Sequence, residues 1–444
     1  MEGLLEKALV LLKRYPLCDA CLGRQFGLLG YGLANAERGR ALKTVLFLTA
    51  HLKARSGKRE GLEVMRILAS NGFFEPARLL LEKMGEPVPP EPPACYLCEN
   101  VMGRLDGLAA RALELLSGYE FSNFLVGIKL PGEVAEREDE LRAELGLPYG
   151  ESLRHELSRE IGKRIMRAVG KPVEHARPDV VVLVEPFSGS VELQVSPVFV
   201  AGRYRKLVRG IPQARWICTR CGGRGCPKCG WTGKMYPTSI EELITEPMIE
   251  AFRGEGAAFH AAGREDVDAR MLGRGRPFVV EIKHPRKREV DLGALEEEIN
   301  KRAEGMVSVS GLRYADRAFV RRIKSEEAEK VYEVLVEFDR PVSDEELGEL
   351  EEALSGAVVR QRTPTRVLHR RVDKLRVKRV AELKAIERLG PRRVRFRVRC
   401  DGGLYVKELI TGDGGRTTPS VSELIRARAR PLELDVVDVL MEEV

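Results

Sequence analysis

Ala262-Gly263-Arg264-Glu265-Asp266-Val267-Asp268-Ala269-Arg270-Met271-Leu272-Gly273-Arg274-Gly275-Arg276-Pro277-Phe278 gathers three acids, four arginines and three glycines directly ahead of an apolar run, Val279-Val280-Glu281-Ile282. Arginine and glycine at this density suit a loop pressed against phosphate, with a carboxylate held among cations. A carboxylate kept ionised by neighbouring arginine is unusual in a plain surface loop and common in an active site. The stretch is therefore read as an active-site loop, and the rest of the chain is read outward from it.

The 444 residues suffice for two or three domains, each with its own core. A hydrophobic content of 43% beside a charged content of 32% predicts a soluble globular protein. No stretch approaches eighteen apolar residues, and no signal-peptide core follows the N-terminal basic residues. No membrane partner and a cytoplasmic location are expected. The net charge of +7 is a small difference between 74 basic and 67 acidic residues. Acid-rich runs at 136–140 and 296–298 alternate with basic ones, which fits a face for a polyanion and equally an ion-pair-rich surface.

Eight of the nine cysteines form Cys-x-x-Cys pairs: Cys18/Cys21, Cys95/Cys98, Cys218/Cys221 and Cys226/Cys229. Each knuckle points two thiolates at one spot, and two knuckles complete a tetrahedron for zinc. Disulfides or redox pairs are the alternative. No thioredoxin-like strand-to-helix context surrounds any pair, and cytosolic disulfides are rare, so two closed structural zinc sites are expected. Joining Cys18 and Cys21 to Cys95 and Cys98 would tie the stiff linker 87–93 back onto the N-terminal helices. The second quartet sits among glycines that permit tight turns. Trp216 and Trp231 flank it, to cover the metal site or to stack on bases, with cover the ordinary expectation.

Apolar spacing predicts helices through residues 1–85, from Leu4, Leu5, Ala8, Leu11 and Leu12 to Val64, Met65, Ile67 and Leu68. An α/β module follows: a strand at 124–130, a helix capped by Ser152 with Leu153, Leu157, Ile161, Ile165 and Val169 as its seam, and strands at 179–184 and 191–195. The segment 199–209 is read as closing this module. The basic helix face, carrying Arg159 and Lys163, and the Tyr204-Arg205-Lys206 terminus fit RNA binding; a solvated basic face fits as well. Beyond 235 the pattern is strand-rich with helices at 292–303 and 344–354, and with strands at 317–323 and 331–338. In 393–400, Val394, Phe396, Val398 and Cys400 alternate with Arg393, Arg395, Arg397 and Arg399. Cys400 is then a core residue, and the arginine side is an RNA-facing stripe or a surface paired with acids.

No Walker A loop, no Gly-x-Gly-x-x-Gly after a strand and no His-Glu-x-x-His is present, so the usual cradles for ATP, NAD and S-adenosylmethionine and a common catalytic zinc motif are missing. The parts left are an arginine-surrounded aspartate, strand tyrosines and basic segments, which suit a nucleic-acid enzyme using a carboxylate nucleophile without a cofactor. Gly263-Arg264-Glu265-Asp266 resembles the Gly-Arg-x-Asp motif of pseudouridine synthases, and 263–278 is similar to the signature of the Pus-ten tRNA pseudouridine synthases. Lys330-Val331-Tyr332 resembles the second motif of that family, and Leu404-Tyr405-Val406-Lys407-Glu408-Leu409-Ile410 the third. The run from Gln361-Arg362-Thr363-Pro364 through Arg366-Val367-Leu368-His369 is also typical. The cysteine pairs and the α/β module, similar to a THUMP domain, fall in the family's order, and the zinc element at 218–229 resembles the archaeal branch.

The resemblance implies an α+β protein. A helical zinc-binding region would span 1–100, a THUMP-like RNA-binding domain 101–212, a four-cysteine zinc knuckle 213–234 and a mixed-sheet pseudouridine synthase domain 235–444. It implies the tRNA T-arm as partner, uridine 55 with uridine 54 as substrates, structural zinc, no catalytic cofactor and no obligate protein partner. Asp266 would be the nucleophile, at the ribose or at the uracil ring. Arg264 would fill the space of the flipped base and hold phosphate. Tyr332 would stack on uracil, with its hydroxyl a proton-transfer group at C5, and Tyr405 would pack on the other side. Lys407 would pair with Asp266, whereas Asp268 would orient arginines. Without the resemblance, both tyrosines read as core aromatics and Asp266 as a partner of Arg264 or Arg270. The rival function is a non-catalytic, zinc-dependent RNA-binding or chaperone-like module, suggested by the glycine-rich knuckles.

Overall fold

Residues 2–441 are described by the computed structural model, which divides the chain at Ser196/Pro197 into two compact units. In the N-terminal unit, five α-helices, Glu2–Arg14, Asp19–Gly23, Asn35–Arg55, Arg59–Ala69 and Glu75–Lys83, precede the second cysteine pair. Leu11, Leu12, Met65, Leu68 and Leu81, spaced for one helix face each, are wholly buried. Helices Leu105–Leu116, Gly132–Leu145 and Leu153–Val169 then accompany a small sheet. In that sheet β1 (Phe124–Ile128) pairs in parallel with β2 (Val180–Glu185), which pairs antiparallel with β3 (Ser190–Val195). Ser152 caps its helix as expected, accepting from the His155 amide at 3.3 Å. One hydrophobic core runs through this unit from Ala8 to Val195.

The C-terminal unit is built on a ten-stranded sheet: β4 (Val198–Lys206), β5 (Gly256–Ala261), β6 (Arg270–Lys283), β7 (Val307–Ala315), β8 (Glu329–Phe338), β9 (Val358–Gln361), β10 (Arg376–Gly390), β11 (Arg393–Cys400), β12 (Thr417–Thr418) and β13 (Ala429–Leu440). Its order is β12-β9-β10-β11-β8-β13-β6-β4-β7. One edge of β6 forks: β13 takes Arg270 and Met271, and β5 takes the segment from Phe278 to Lys283. The quoted loop fills that fork. Two apolar cores meet along the sheet, and Tyr332 on β8 packs against both.

Several expectations are corrected. Residues 199–209 do not close the α/β module; β4 pairs with β6 and β7 in the C-terminal sheet. The segment read as a strand at 317–323 is the helix Arg317–Ser325, because Asp316 accepts from the Phe319 amide at 2.9 Å and starts it. Tyr405 is not a strand residue but precedes the helix Val406–Thr411. Only the first half of the quoted run is loop, since β6 begins at Arg270. On β11 the alternation holds, with Val394, Phe396, Val398 and Cys400 buried. Its arginines are paired with acids, Arg393 with Glu337, Arg395 with Glu387, Arg397 with Glu333 and Arg399 with Glu329, the second of the two readings given for that face. Among the described residues, no helix is long and apolar enough to cross a membrane.

Candidate active site

Gly263 opens the loop with φ +80°, and a Cβ there would lie 2.9 Å from Lys330 Nζ. The left-handed φ is what favours glycine here, since the Lys330 side chain could shift aside. Behind the loop is a buried polar frame. Arg276 donates to the Ala262 carbonyl at 2.7 Å and to Glu265 at 3.0 Å. The Tyr204 hydroxyl donates to Glu265 at 2.9 Å, and Gln213 donates to the Gly263 carbonyl at 2.9 Å. Burial and the Glu265 carboxylate push the Tyr204 hydroxyl far above its ordinary pKa. Lys206, wholly buried, donates to the carbonyls of Asp266 (3.2 Å) and Val267 (2.8 Å). Tyr204 and Lys206 therefore brace the loop from inside and are not the RNA-binding terminus that the sequence suggested.

Three of the four arginines of the run are engaged elsewhere: Arg270 with Asp435, Arg274 with Asp438 and Arg276 with Glu265. Arg270 is thus not the partner of Asp266. Arg264 is exposed on the rim of a cleft of about 290 Å³, into which Asp266, Lys330, Tyr332, Arg366, Tyr405 and Lys407 also face. That volume is near the lower end for small-molecule sites, roughly 300 Å³. Asp266 Oδ2 lies 3.2 Å from Arg366 Nη2 and 3.4 Å from Lys407 Nζ. Lys407 is closer to Asp268, at 2.7 Å. Burial would raise the Asp268 carboxyl, but the hydrogen bonds from Lys407 outweigh it and hold the group below the usual range. Asp268 hence orients a lysine by its side chain, and receives Arg209 only at its carbonyl (2.7 Å).

Arg264, Asp266, Tyr332, Tyr405 and Lys407, the five residues singled out for chemistry, come to one cleft. Tyr332, on central strand β8, has its hydroxyl pushed well above the ordinary value by burial. Tyr405 is fixed through its backbone by Gln361, whose amide donates to the Tyr405 carbonyl (3.0 Å) and accepts from its N–H (2.8 Å). The guanidiniums of Arg366 and Arg376 lie 5.9 and 5.4 Å from the Tyr405 ring centre. Arg366 also donates to buried Glu408 at 2.7 Å, which holds it against Asp266. Arg366, Lys330 and Gln361 fall inside sequence motifs that assign them no role. Lys206, Gln213 and the Glu265–Arg276 pair carry no local signal, because only the fold brings their partners together.

The two cysteine quartets close as expected: Cys18, Cys21, Cys95 and Cys98 in one, and Cys218, Cys221, Cys226 and Cys229 in the other. All eight cysteines are free thiols rather than disulfides. Tetrahedral zinc with Zn–S near 2.3 Å requires sulfurs about 3.8 Å apart. Cys18–Cys98 is 3.8 Å, Cys218–Cys226 and Cys221–Cys229 are 3.9 Å, and Cys226–Cys229 is 3.7 Å. Both quartets fit a tetrahedral metal ion. Backbone amides aim at the sulfurs, as from Cys226 to Cys229 at 3.2 Å. Trp216 packs on Tyr236 at 5.6 Å, but Trp231 is 73% exposed and covers nothing.

Comparison with known proteins decides the family. The model described as "Pus10, C-terminal" matches residues 199–440, and "Pus10 THUMP domain, archaeal" matches 108–185. The chain belongs to the Pus10 family. Among its relatives, the tRNA pseudouridine synthase Pus10 of Methanothrix thermoacetophila is 48% identical over 440 residues, 99% of this chain and 95% of the other. That of Thermofilum pendens is 49% identical over 433 residues, 97% of this chain and 94% of the other. A chain from the crystal structure of a Cbf5-Nop10-Gar1 complex aligns over 46% of this chain and 45% of its own, with a TM-score of 0.29 and 18% identity. As a member of the Pus10 family, the protein is an α+β isomerase with a THUMP domain.

Proposed function

We propose that this enzyme converts uridine 55, with uridine 54 as a second target, to pseudouridine in the T-arm of cytoplasmic tRNA. The observation that carries the reading is Asp266, set between Arg366 and Lys407 in a cleft walled by Tyr332 and Tyr405. Arg366 and Lys407, at 3.2 and 3.4 Å, fix the Asp266 side chain where it is part-exposed to the cleft, as a nucleophile must be, whereas Glu265 and Asp435 are paired with arginines but buried. Uridine in a folded arm must first leave its stack, at a cost of roughly a few kcal/mol. Arg264, exposed on the rim, takes the vacated space and holds the backbone phosphate.

Asp266 then attacks the ribose or the uracil ring. The N1–C1′ bond breaks, the base turns, and C5 bonds to C1′. The bond to Asp266 breaks in turn, displaced by C5 if it was made at C1′ or eliminated if it was made at the ring, which restores the carboxylate. The proton lost from C5 is moved by way of the Tyr332 hydroxyl, and N1 ends protonated. Tyr332 and Tyr405 hold the ring between them during the turn, and Lys407 balances the charge of Asp266. No step calls on a metal or an organic cofactor. In this reading the two cysteine quartets hold structural zinc, the N-terminal unit (1–196) with its THUMP-like part presents the tRNA, and the C-terminal unit, with β4 as its brace, is catalytic. Mapping pseudouridine in an unmodified tRNA transcript after incubation with the enzyme tests the reading. Product at 55 and 54 is expected; product at other positions alone overturns the substrate assignment, and none at all favours the non-catalytic RNA-binding alternative.

A further inference from the structure

The finger between Trp216 and Met235 contains no acidic residue, while Arg220, Arg224, Lys228 and Lys234 lie within it. Its stem is fastened. The Cys218 amide donates to the Gly233 carbonyl at 2.8 Å and the Met235 amide to the Trp216 carbonyl at 2.9 Å, and Lys234 pairs with Glu242 on the helix Ile240–Phe252. Its tip is not. Arg220, Arg224 and Lys228 are exposed, and none is paired with a carboxylate among the described residues.

Trp231 stands on this tip under two unfavourable conditions. Its ring is 73% exposed, and its backbone has φ +65°, a conformation that suits glycine and is rare for a bulky side chain. A tryptophan kept in a glycine conformation, bare to water on a finger whose cations lack acidic partners, indicates a contact that the isolated fold does not contain. The finger also rises beside the catalytic loop: Pro212, Gln213 and Trp216 at its base share a recess with Arg264 and Asp266.

We propose that the four-cysteine finger is a second contact for the RNA substrate, in which Trp231 stacks on an unpaired base near the target uridine while Arg220, Arg224 and Lys228 hold the adjoining phosphates. Every base offers a π-face, so this contact adds affinity with little sequence preference. Phosphate contacts by the three cations make it weaken with salt. The inference rests on the proposed action upon RNA, but it concerns a surface separate from the catalytic cleft.

The test uses the full-length, metal-loaded enzyme and its Trp231→Gly and Trp231→Phe variants on one unmodified tRNA transcript. Glycine suits the φ at 231, so Trp231→Gly is expected to keep its metal and its fold. It should lower kcat/KM roughly tenfold, mainly through KM, as loss of one base–aromatic stack predicts; Trp231→Phe should recover most of that loss. Separately, tRNA should quench the tryptophan emission of the wild type far more than that of Trp231→Phe, which retains only Trp216. If KM is unchanged in Trp231→Gly and the quench is equal in the two proteins, the finger is not an RNA contact, although pseudouridine is still made. If Trp231→Gly instead abolishes self-association of the protein without affecting KM, the tip is a face for a second copy and the proposal is overturned. A wild type that forms no pseudouridine counts against the catalytic reading, while the binding quench still judges the finger.

Discussion

At the residue scale, the proposed chemistry turns on how Lys407 is shared between two carboxylates, 2.7 Å from Asp268 and 3.4 Å from Asp266. Asp268 acts as a tether. Removing its charge with Asp268→Asn should free Lys407 to move toward Asp266 and leave activity within about tenfold, as expected when a supporting partner is lost. Lys407→Met should cost on the order of 10² to 10³ in kcat, the usual loss for one electrostatic partner of a reacting group. Single-turnover rates of the two variants check the order, and a larger loss in Asp268→Asn would reverse the two roles. Lys330, at the cleft, is depressed to about 8 by burial and the nearby Arg276. An exposed lysine titrates near ~10.4, so between these values the unfolded chain binds more protons and stability rises with pH, while the cleft loses a cation. KM for tRNA should therefore rise through about pH 8 without any fall in the melting midpoint, and Lys330→Met should flatten that limb. Lys206 is also depressed to about 8 by burial, but its neutral amine still has hydrogens for both carbonyls that it serves. Asp266, the proposed nucleophile, was legible as a motif residue, whereas its nearest cation, Arg366, lies about 100 positions away and only the folded chain brings the two together.

At the element scale, legibility followed periodicity and caps. β11 was readable because four buried residues alternate with four arginines; at the 344–354 helix, the structure adds that Ser343 and Glu346 cap each other at its start. The helix Arg317–Ser325 was misread because its short apolar run also suits a strand, and the cap at Asp316 decided the matter. The quoted run was read as all loop because the polar residues of β6 face Asp435 and Asp438, acids supplied by another strand. The cysteine elements were legible from spacing alone, since two knuckles have few other ways to satisfy their thiols. Elemental analysis should find about two zinc ions per chain, one for each quartet. A value near one would mean that one quartet, despite sulfurs 3.7 to 3.9 Å apart, is not a zinc site.

At the scale of the whole molecule, the two units have separate cores, and the first quartet lies inside the N-terminal one with Cys21, Cys95 and Cys98 at no exposure. Cys18→Ser should therefore destabilise that unit by several kcal/mol, or roughly 10 °C at about 2–4 °C per kcal/mol. Calorimetry should show one transition moving and the other staying, with the chemical step at saturating tRNA retained. A common shift of both transitions would mean that the metal site supports the entire chain. The central claim is narrower and is tested directly by the rate of pseudouridine formation on one unmodified tRNA transcript, wild type against Asp266→Asn. The amide is nearly isosteric and keeps the cleft but has no nucleophilic oxyanion, so product should fall by roughly 10⁴-fold or more, as for other nucleophile deletions. Pseudouridine appearing at the wild-type rate in Asp266→Asn would contradict the account.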